Sequence, residues 1–418
     1  MEESRTSRVA IIAGARTPFV KAGTVFKHHS PLALGLHAIA GLIEKNQLDP
    51  KIVDELVFGI VLLDPRLPNL AREMVFKSAL PASTHALTVS NNCISGIHAI
   101  TAIYDSIVSG HAEVGIAGGV ESMSNPAILF SPTASRLFID LASARSFKEK
   151  MSLTFKLRLS HFKPSLPAIA EPSTGLSMGE HTELVAKEWK IPRAQQDEIA
   201  FLSHRNAQAA TQDGRLAAEI HPLDGIKRDL LIRADTTLEK LAALRPVFDR
   251  STAGTLTAGN SSPLTDGASA VLLMSEARAR REGREPLAFI KAFEYAAIDP
   301  KDGLLMAPAL TVPRILKRTG LRLSDMDIIE MHEAFGAQVL ANLRAWEQGW
   351  KEPAIGSVDR SKLNPLGSSI AVGHPFAATG GRIVTTLANE LKRRKARYGL
   401  LSICAAGGMA AAMILERP

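Results

Sequence analysis

The 418 residues are too many for one ordinary domain, so two or three packed units are expected. Apolar residues make up 46% and charged residues 22%, the balance of a globular chain with a large core. A net charge of +7 suits a polyanionic small substrate or an anionic membrane surface. With three Tyr, three Trp and no basic–aromatic pattern, no nucleic-acid partner is expected.

Residues 1–8 are polar and lack the apolar run of a signal peptide. No stretch approaches the roughly 20 apolar residues of a membrane span, so a cytoplasmic location is expected. Residues 9–13 form a short apolar run broken by Gly14, residues 32–43 carry helical spacing, and 55–63 read as a buried strand. Residues 86–90 read as a strand turning through Asn91 and Asn92 into a helix. Its Ile97, Ile100, Tyr104 and Ile107 share one face, and Gly110 stops it. Residues 114–117 are the next strand, ending at Gly118-Gly119.

From 131 to 246 the chain is richer in Pro and charge and carries a helix at 195–212. Its first part, 131–167, holds Arg136, Arg145, Lys148, Lys150, Lys156, Arg158 and Lys163 beside few acids. There Leu153, Phe155, Leu157 and Leu159 alternate with polar residues, as in a strand. This insert is either a lid with solvated lysines or a contact for a membrane surface or partner subunit. An apolar strand at 268–274 follows.

The last third repeats the opening order. Residues 327–330 lead into a helix, Gly373-His374-Pro375 precedes a helix from about 381 to 395, and 400–404 form a strand ending near Gly407-Gly408. Loop, helix, strand and a glycine pair thus occur twice. The pattern reads as two related α/β halves. The halves are 1–130, completed by 247–279, and 280–418, with 131–246 inserted as a loop domain over the site.

Two cysteines, Cys93 and Cys404, cannot build a disulfide framework or a four-cysteine metal site. They are buried filler or reactive groups. Cys93 sits where a helix begins, and unpaired N–H groups there favour a thiolate. Such settings lower a cysteine pKa from about 8.5 to roughly 3.5–7.5; the alternative is a small residue packing the helix start. Gly96 leaves room for a neighbouring backbone or a substrate.

His374 lies on a loop among small residues. With an ordinary pKa of about 6.5 it suits a base for a thiol proton, or it is a turn residue capping a helix. Cys404 ends an apolar strand before Ala405-Ala406-Gly407-Gly408, whose small residues expose N–H groups as an oxyanion site requires. Otherwise it is a core cysteine. His332 follows a strand and would hold a water or donate to an enolate oxygen, or serve as a surface or capping residue.

Asn92-Cys93-Ile94-Ser95-Gly96, His332-Glu333-Ala334-Phe335, Gly373-His374-Pro375 and Cys404-Ala405-Ala406-Gly407-Gly408 resemble, in order, the active-site blocks of the thiolase family. Gly254-Thr255-Leu256-Thr257-Ala258-Gly259-Asn260 and Thr265-Asp266-Gly267-Ala268 are similar to its linking segment, and Ala15-Arg16-Thr17-Pro18-Phe19 to its opening strand and turn. The likeness runs over nearly the whole chain. It implies an α/β fold, a five-layer α/β/α/β/α sandwich of two βαβ-rich halves with an inserted loop domain.

The resemblance further implies that Cys93 accepts an acyl group and that His374 deprotonates Cys93 or the coenzyme A thiol. Cys404 would move a proton on or off the α-carbon. The backbone N–H groups of Cys93 and Ala406 would bind the acyl-enzyme carbonyl oxygen. His374, with a water held by His332, would bind the enolate oxygen. Arg233 would lie near the adenine-phosphate end of coenzyme A, Ser262 would touch its pantetheine arm, and Met178 would line the same tunnel. Read alone, Arg233 is a solvated loop charge and Met178 core packing. No metal or other cofactor is implied, coenzyme A being a substrate.

His332 stands where many members have Asn, and Ala406 and Ala377 where many have Gly. These variants resemble the beta-subunit branch of the fatty-acid oxidation trifunctional complex. The activity implied is cleavage of 3-ketoacyl-CoA with CoA to acetyl-CoA and a shortened acyl-CoA in β-oxidation. A homodimer or tetramer is implied, with a hydratase/dehydrogenase subunit as partner. The alternatives are a biosynthetic acetoacetyl-CoA thiolase, a ketoacyl synthase, and a catalytically silent scaffold of a fatty-acid oxidation complex. Cys404 in its glycine-rich setting argues against the synthase, and four reactive positions together argue against the scaffold.

Overall fold

The computed structural model describes residues 8–164 and 170–418; the polar opening 1–7 and the end of the basic insert, 165–167, lie outside the described residues. Its strands are β1 (Val9–Arg16), β2 (Val20–Lys21), β3 (Glu55–Gly59), β4 (His85–Val89), β5 (Val114–Glu121), β6 (Thr265–Ser275), β7 (Ala288–Ala297), β8 (Ile328–Met331), β9 (Tyr398–Ala405) and β10 (Met409–Glu416). They pair in the order β4-β3-β5-β6-β1-β7-β10-β9-β8, with β2 attached to β6.

The order repeats. In one half β1–β6 and β6–β5 are antiparallel and β5–β3 is parallel. In the other, β7–β10 and β10–β9 are antiparallel and β9–β8 is parallel. The seam between halves is short, at Ala10↔Phe289 and Ile11↔Ala288.

Five layers result. The helix Pro31–Lys45, started by Ser30 accepting from Ala33 N–H and by Pro31, buries Leu34, Ala38, Ile39 and Leu42 on one outer face of the first half. Two central helices, Ser95–Val108 and Ala378–Arg394, fill the middle layer. Ile97, Ile100 and Ile103 of the first and Ile383, Val384 and Leu387 of the second share a core with Val271 of β6 and Ile403 of β9. The other outer layer packs Leu310, Val312 and Ile315 of helix Pro308–Thr319 and Val339 and Leu343 of helix Gly336–Gln348 against Leu400 and Ile414. Burying each such side chain contributes roughly 1.5–3 kcal/mol.

Several expected boundaries move, each for a contact made far away in sequence. β1 does not break at Gly14 but runs to Arg16. A Cβ at Gly14 would meet Thr385 Oγ1 at 2.0 Å, so glycine here admits the second central helix. β5 likewise continues through Gly118-Gly119 to Glu121, and a Cβ on Gly119 would sit 2.0 Å from the Ala377 carbonyl oxygen. β3 stops at Gly59 rather than reaching residue 63, because Val61 and Leu62 donate their N–H groups to the Glu121 carboxylate instead of a ladder.

The alternation at 153–159 does not make a strand. Ser146 and Glu149 form a capping box that starts the helix Phe147–Thr154, and Leu159–Phe162 is a 3₁₀ turn. Ala134 is buried, while Phe147, Phe155 and Leu159 are 79%, 82% and 91% exposed.

Candidate active site

β4 ends at Val89 and the first central helix begins at Ser95, so the turn between them must reverse the chain in five residues. Asn92 takes the left-handed conformation at φ 49°, which Asn tolerates better than most residues. The Ser95 hydroxyl ties the turn by accepting from Asn91 N–H at 2.7 Å and donating to the Asn92 carbonyl at 2.7 Å. Cys93 is thereby set just ahead of the helix, half-buried. Gly96 brings that helix against the other half: a Cβ there would meet the Ala377 carbonyl at 2.4 Å.

The second half supplies the rest. His374 N–H donates to Thr265 Oγ1 at 3.0 Å, fixing the loop before the second central helix. The His374 ring lies with Nε2 3.2 Å from Cys93 Sγ and Nδ1 2.7 Å from Thr379 Oγ1. His332, at the end of β8, stands 4.1 Å from His374 between ring centroids.

Cys404 is the next-to-last residue of β9 and fully buried, and Ala406 follows Ala405 in the β9–β10 turn, where Gly407 and Gly408 have φ 78° and 68°. The turn is held from both sides. Asn92 Nδ2 donates to the Ala406 carbonyl at 3.0 Å, and Gly407 N–H donates to Glu171 Oε2 at 2.8 Å. The backbone N–H groups of Ala406 and of Cys93 itself both favour the thiolate form of Cys93.

Burial pushes the Cys93 thiol up to about 12; the Ala406 N–H opposes this, and the Glu121 charge adds to it. This corrects the expected lowered pKa: helix-start N–H groups are present, but packing around the sulfur outweighs them. Burial also drives His374 down to about 3, aided by the Arg382 cation. Thiol and imidazole therefore rest as a neutral pair. Cys404 is raised well above the ordinary thiol range by burial and by its proximity to Cys93. His332 is held well below the usual imidazole range by burial, then by His374 and Arg382.

Cys93, His374, His332, Cys404 and Ala406 thus meet at one place. The other three residues make no hydrogen bond to that group among the described residues. Ser262 donates its N–H to the Ala334 carbonyl at 2.9 Å, two residues beyond His332. Met178 is half-buried against the cluster that contains Phe335 and Cys404. Arg233 is exposed, its backbone N–H donated to His204 Nδ1 at 3.2 Å, while Leu231 packs over Gly373.

Sequence reasoning missed the braces. Glu333 is buried and accepts from Ser203 Oγ at 2.6 Å and Asn364 Nδ2 at 2.7 Å, and Asn364 Oδ1 accepts from Met331 N–H at 2.7 Å. Together they fix the strand end that carries His332. Glu121 accepts from Val61, Leu62 and Ala377 N–H, and burial raises its carboxyl to about 7 despite these donors. Asn364 at φ 46° and Glu121 at the end of β5, two residues after a glycine pair, carried no catalytic pattern.

Two family models match the chain: "Thiolase, N-terminal domain" over residues 9–277 and "Thiolase, C-terminal domain" over 284–417. Among similar proteins, the 3-ketoacyl-CoA thiolase of Colwellia psychrerythraea is 44% identical over 99% of this chain and 98% of its own length. That of Shewanella piezotolerans is 45% identical over 100% of this chain and 98% of its own. Of solved structures, the Bacillus anthracis acetyl-CoA acetyltransferase superposes with TM-score 0.87 at 31% identity, covering 99% of this chain and 100% of that one. Human mitochondrial 3-ketoacyl-CoA thiolase gives 0.85 at 30% identity, covering 99% of each chain.

Proposed function

The chain belongs to the thiolase family, and we propose that it acts as a 3-ketoacyl-CoA thiolase of fatty-acid β-oxidation. It is an acetyl-CoA C-acyltransferase whose chemistry runs on its own side chains, with coenzyme A as a substrate. The single observation that carries the reading is Cys93 Sγ at 3.2 Å from His374 Nε2, beside a second buried thiol.

In the proposed cycle, His374 Nε2 takes the Cys93 proton as the sulfur attacks the 3-keto carbon. The developing oxyanion meets the N–H groups of Cys93 and Ala406, a preorganised pair of the kind worth about 2.7–4 kcal/mol per donor. The C2–C3 bond then breaks, and the acetyl-CoA enolate, met by His374 and by a water on His332, takes a proton from Cys404. The imidazolium proton passes to the Cys404 thiolate. Neutral His374 next accepts the proton of the incoming coenzyme A thiol, whose sulfur displaces Cys93 and releases the shortened acyl-CoA. Cys93 leaves with the proton from His374, so every group returns to its starting state.

Arg233, Ser262 and Met178 are assigned to coenzyme A in this reading, and residues 131–246 to a loop domain over the site. Thiolysis measured with acetoacetyl-CoA and with a long-chain 3-ketoacyl-CoA tests the assignment. Turnover of the long-chain substrate is expected. Absence of turnover with either would favour a silent scaffold, and turnover of acetoacetyl-CoA alone a biosynthetic enzyme.

A cytoplasmic homo-oligomer working with a hydratase/dehydrogenase subunit is part of the same proposal. No helix among the described residues is long and apolar enough to cross a membrane. The basic insert supports a peripheral contact with an anionic membrane instead. Between 131 and 164, Phe147, Phe155 and Leu159 stand in solvent beside seven Lys or Arg and two acids, Asp140 and Glu149. The protein is expected to co-sediment with vesicles containing an anionic phospholipid, and a Phe147→Asp/Phe155→Asp variant to remain in the supernatant. Equal sedimentation of both would remove the membrane from this picture.

A further inference from the structure

His332 and His374 are neighbours in one dry pocket, yet the groups behind them differ. Arg382, on the second central helix, is 1% exposed and donates from Nη2 to the hydroxyl oxygens of both Ser368 and Ser369 at 3.2 Å. A guanidinium can only donate. The Ser369 oxygen is therefore an acceptor towards Arg382 and keeps its own single proton for another partner. The one acceptor beside it among the described residues is His332 Nδ1, at 2.7 Å. A serine proton directed at Nδ1 makes that nitrogen the acceptor, so the ring proton sits on Nε2. Nε2 is itself buried and has no protein partner. A buried polar nitrogen without a partner calls for one that the protein does not supply.

His374 is wired the other way. Its Nε2 faces the Cys93 sulfur, which carries its proton in the neutral resting pair, and its Nδ1 faces Thr379 Oγ1. There the thiol proton points at Nε2, and the ring proton lies on Nδ1 towards threonine. We infer that Arg382, acting through the Ser369 hydroxyl, is a positioning residue that holds His332 as its Nε2–H tautomer, so that His332 donates where His374 accepts. The inference rests on the thiolase reading for its catalytic consequence, since the fixed N–H serves the enolate oxygen through water. The tautomer itself depends only on the hydrogen-bond chain.

The energetic logic favours such a lock. A neutral imidazole exchanges its two tautomers readily in solution, and one of them presents a lone pair, not a proton, to the bridging water. That lone pair would draw a proton of the water towards the ring, whereas an Nε2–H leaves both water protons free for the enolate oxygen. Asparagine at the same position would bring a donor NH2 by simple rotation and would need no such chain. The Arg382 cation also disfavours protonation of both imidazoles, which keeps His332 neutral and hence tautomeric.

The test uses the full chain labelled with 15N in its histidine rings, with the His332 signals identified by their loss in His332→Asn. In the wild type, Nε2 is expected at the protonated and Nδ1 at the unprotonated 15N shift. Ser369→Ala is expected to mix the two forms. It should also lower thiolysis kcat by about two- to tenfold, in proportion to the share of molecules left in the Nε2–H form, while KM moves little. In a His332→Asn background the same Ser369→Ala change should leave kcat unchanged, because an amide needs no lock. A merely structural serine would cost the same in both backgrounds. A wild-type His332 protonated on Nδ1, or an unchanged tautomer in Ser369→Ala, would overturn the inference. Thiolysis failing in the wild type would instead remove the enzymatic reading while leaving the tautomer measurement to stand or fall by itself.

Discussion

Cys93→Ala is expected to abolish the acyl-enzyme: incubation with an acyl-CoA gives no mass adduct, and thiolysis falls by roughly 10⁴–10⁶-fold, the scale seen when a nucleophile is removed from a coupled catalytic group. His374, Cys404 and the backbone donors remain in this variant, but without the sulfur they have no covalent intermediate to stabilise. The same residue carries a pH signature. The thiol is pushed up to about 12 by burial, so it holds its proton throughout neutral pH. Raising the pH from 6 to 10 removes that proton only fractionally, and the thiolate population grows about tenfold per unit below the pKa. Alkylation of substrate-free protein by iodoacetamide at Cys93 should therefore be slow at pH 7 and keep rising to pH 10. A plateau below pH 8 would mean that the helix-start N–H groups outweigh burial after all. Persistence of an acyl adduct in Cys93→Ala would show that another group is the nucleophile.

Cys404→Ala is expected to separate acyl transfer from carbon–carbon cleavage. Burial and the nearby Cys93 hold this thiol well above its ordinary range, so at neutral pH it is a proton carrier, not a nucleophile. Its place at the end of β9, one strand residue before the turn that delivers the Ala406 N–H, puts it in the same pocket as Cys93. Without it the enolate has no adjacent acid, and a positioned acid is worth about 10²–10⁴-fold. The variant should still form the acyl adduct from a simple acyl-CoA, because that exchange of thioesters moves no proton at carbon. It should lose turnover of 3-ketoacyl-CoA by that factor and lose deuterium exchange at the acetyl-CoA methyl. Turnover within tenfold of the wild type would assign the carbon proton to another residue. Replacing so small a buried side chain leaves a void of about one sulfur, so equal melting temperatures are the control for folding.

Periodicity and punctuation reveal much of the architecture. Apolar spacing in residues 97–107 marks the first central helix, and the repeated loop–helix–strand order marks two related halves. Both are local or repetitive signals. The motifs around Cys93, His332, His374 and Cys404 likewise stand in the sequence as short, recognisable strings. The glycines misled at Gly14 and Gly118-Gly119, because a glycine that ends a strand and one that admits a neighbouring helix look the same in one dimension. The alternation at 153–159 misled because a local capping box started a helix at Phe147 that a period-two pattern did not overcome.

By itself the sequence determined which reactive groups exist, which helices present apolar faces, and that the chain is built twice over. Only the tertiary structure decided their chemical state. Whether Cys93 is thiol or thiolate, and which nitrogen of His332 carries the proton, depends on desolvation, on the Ala406 N–H and the Glu121 charge, and on hydrogen bonds from Ser369 and Arg382. Apart from Glu121, these lie hundreds of residues from Cys93 or dozens from His332, and the electrostatic energy of a buried group is set by what surrounds it in space.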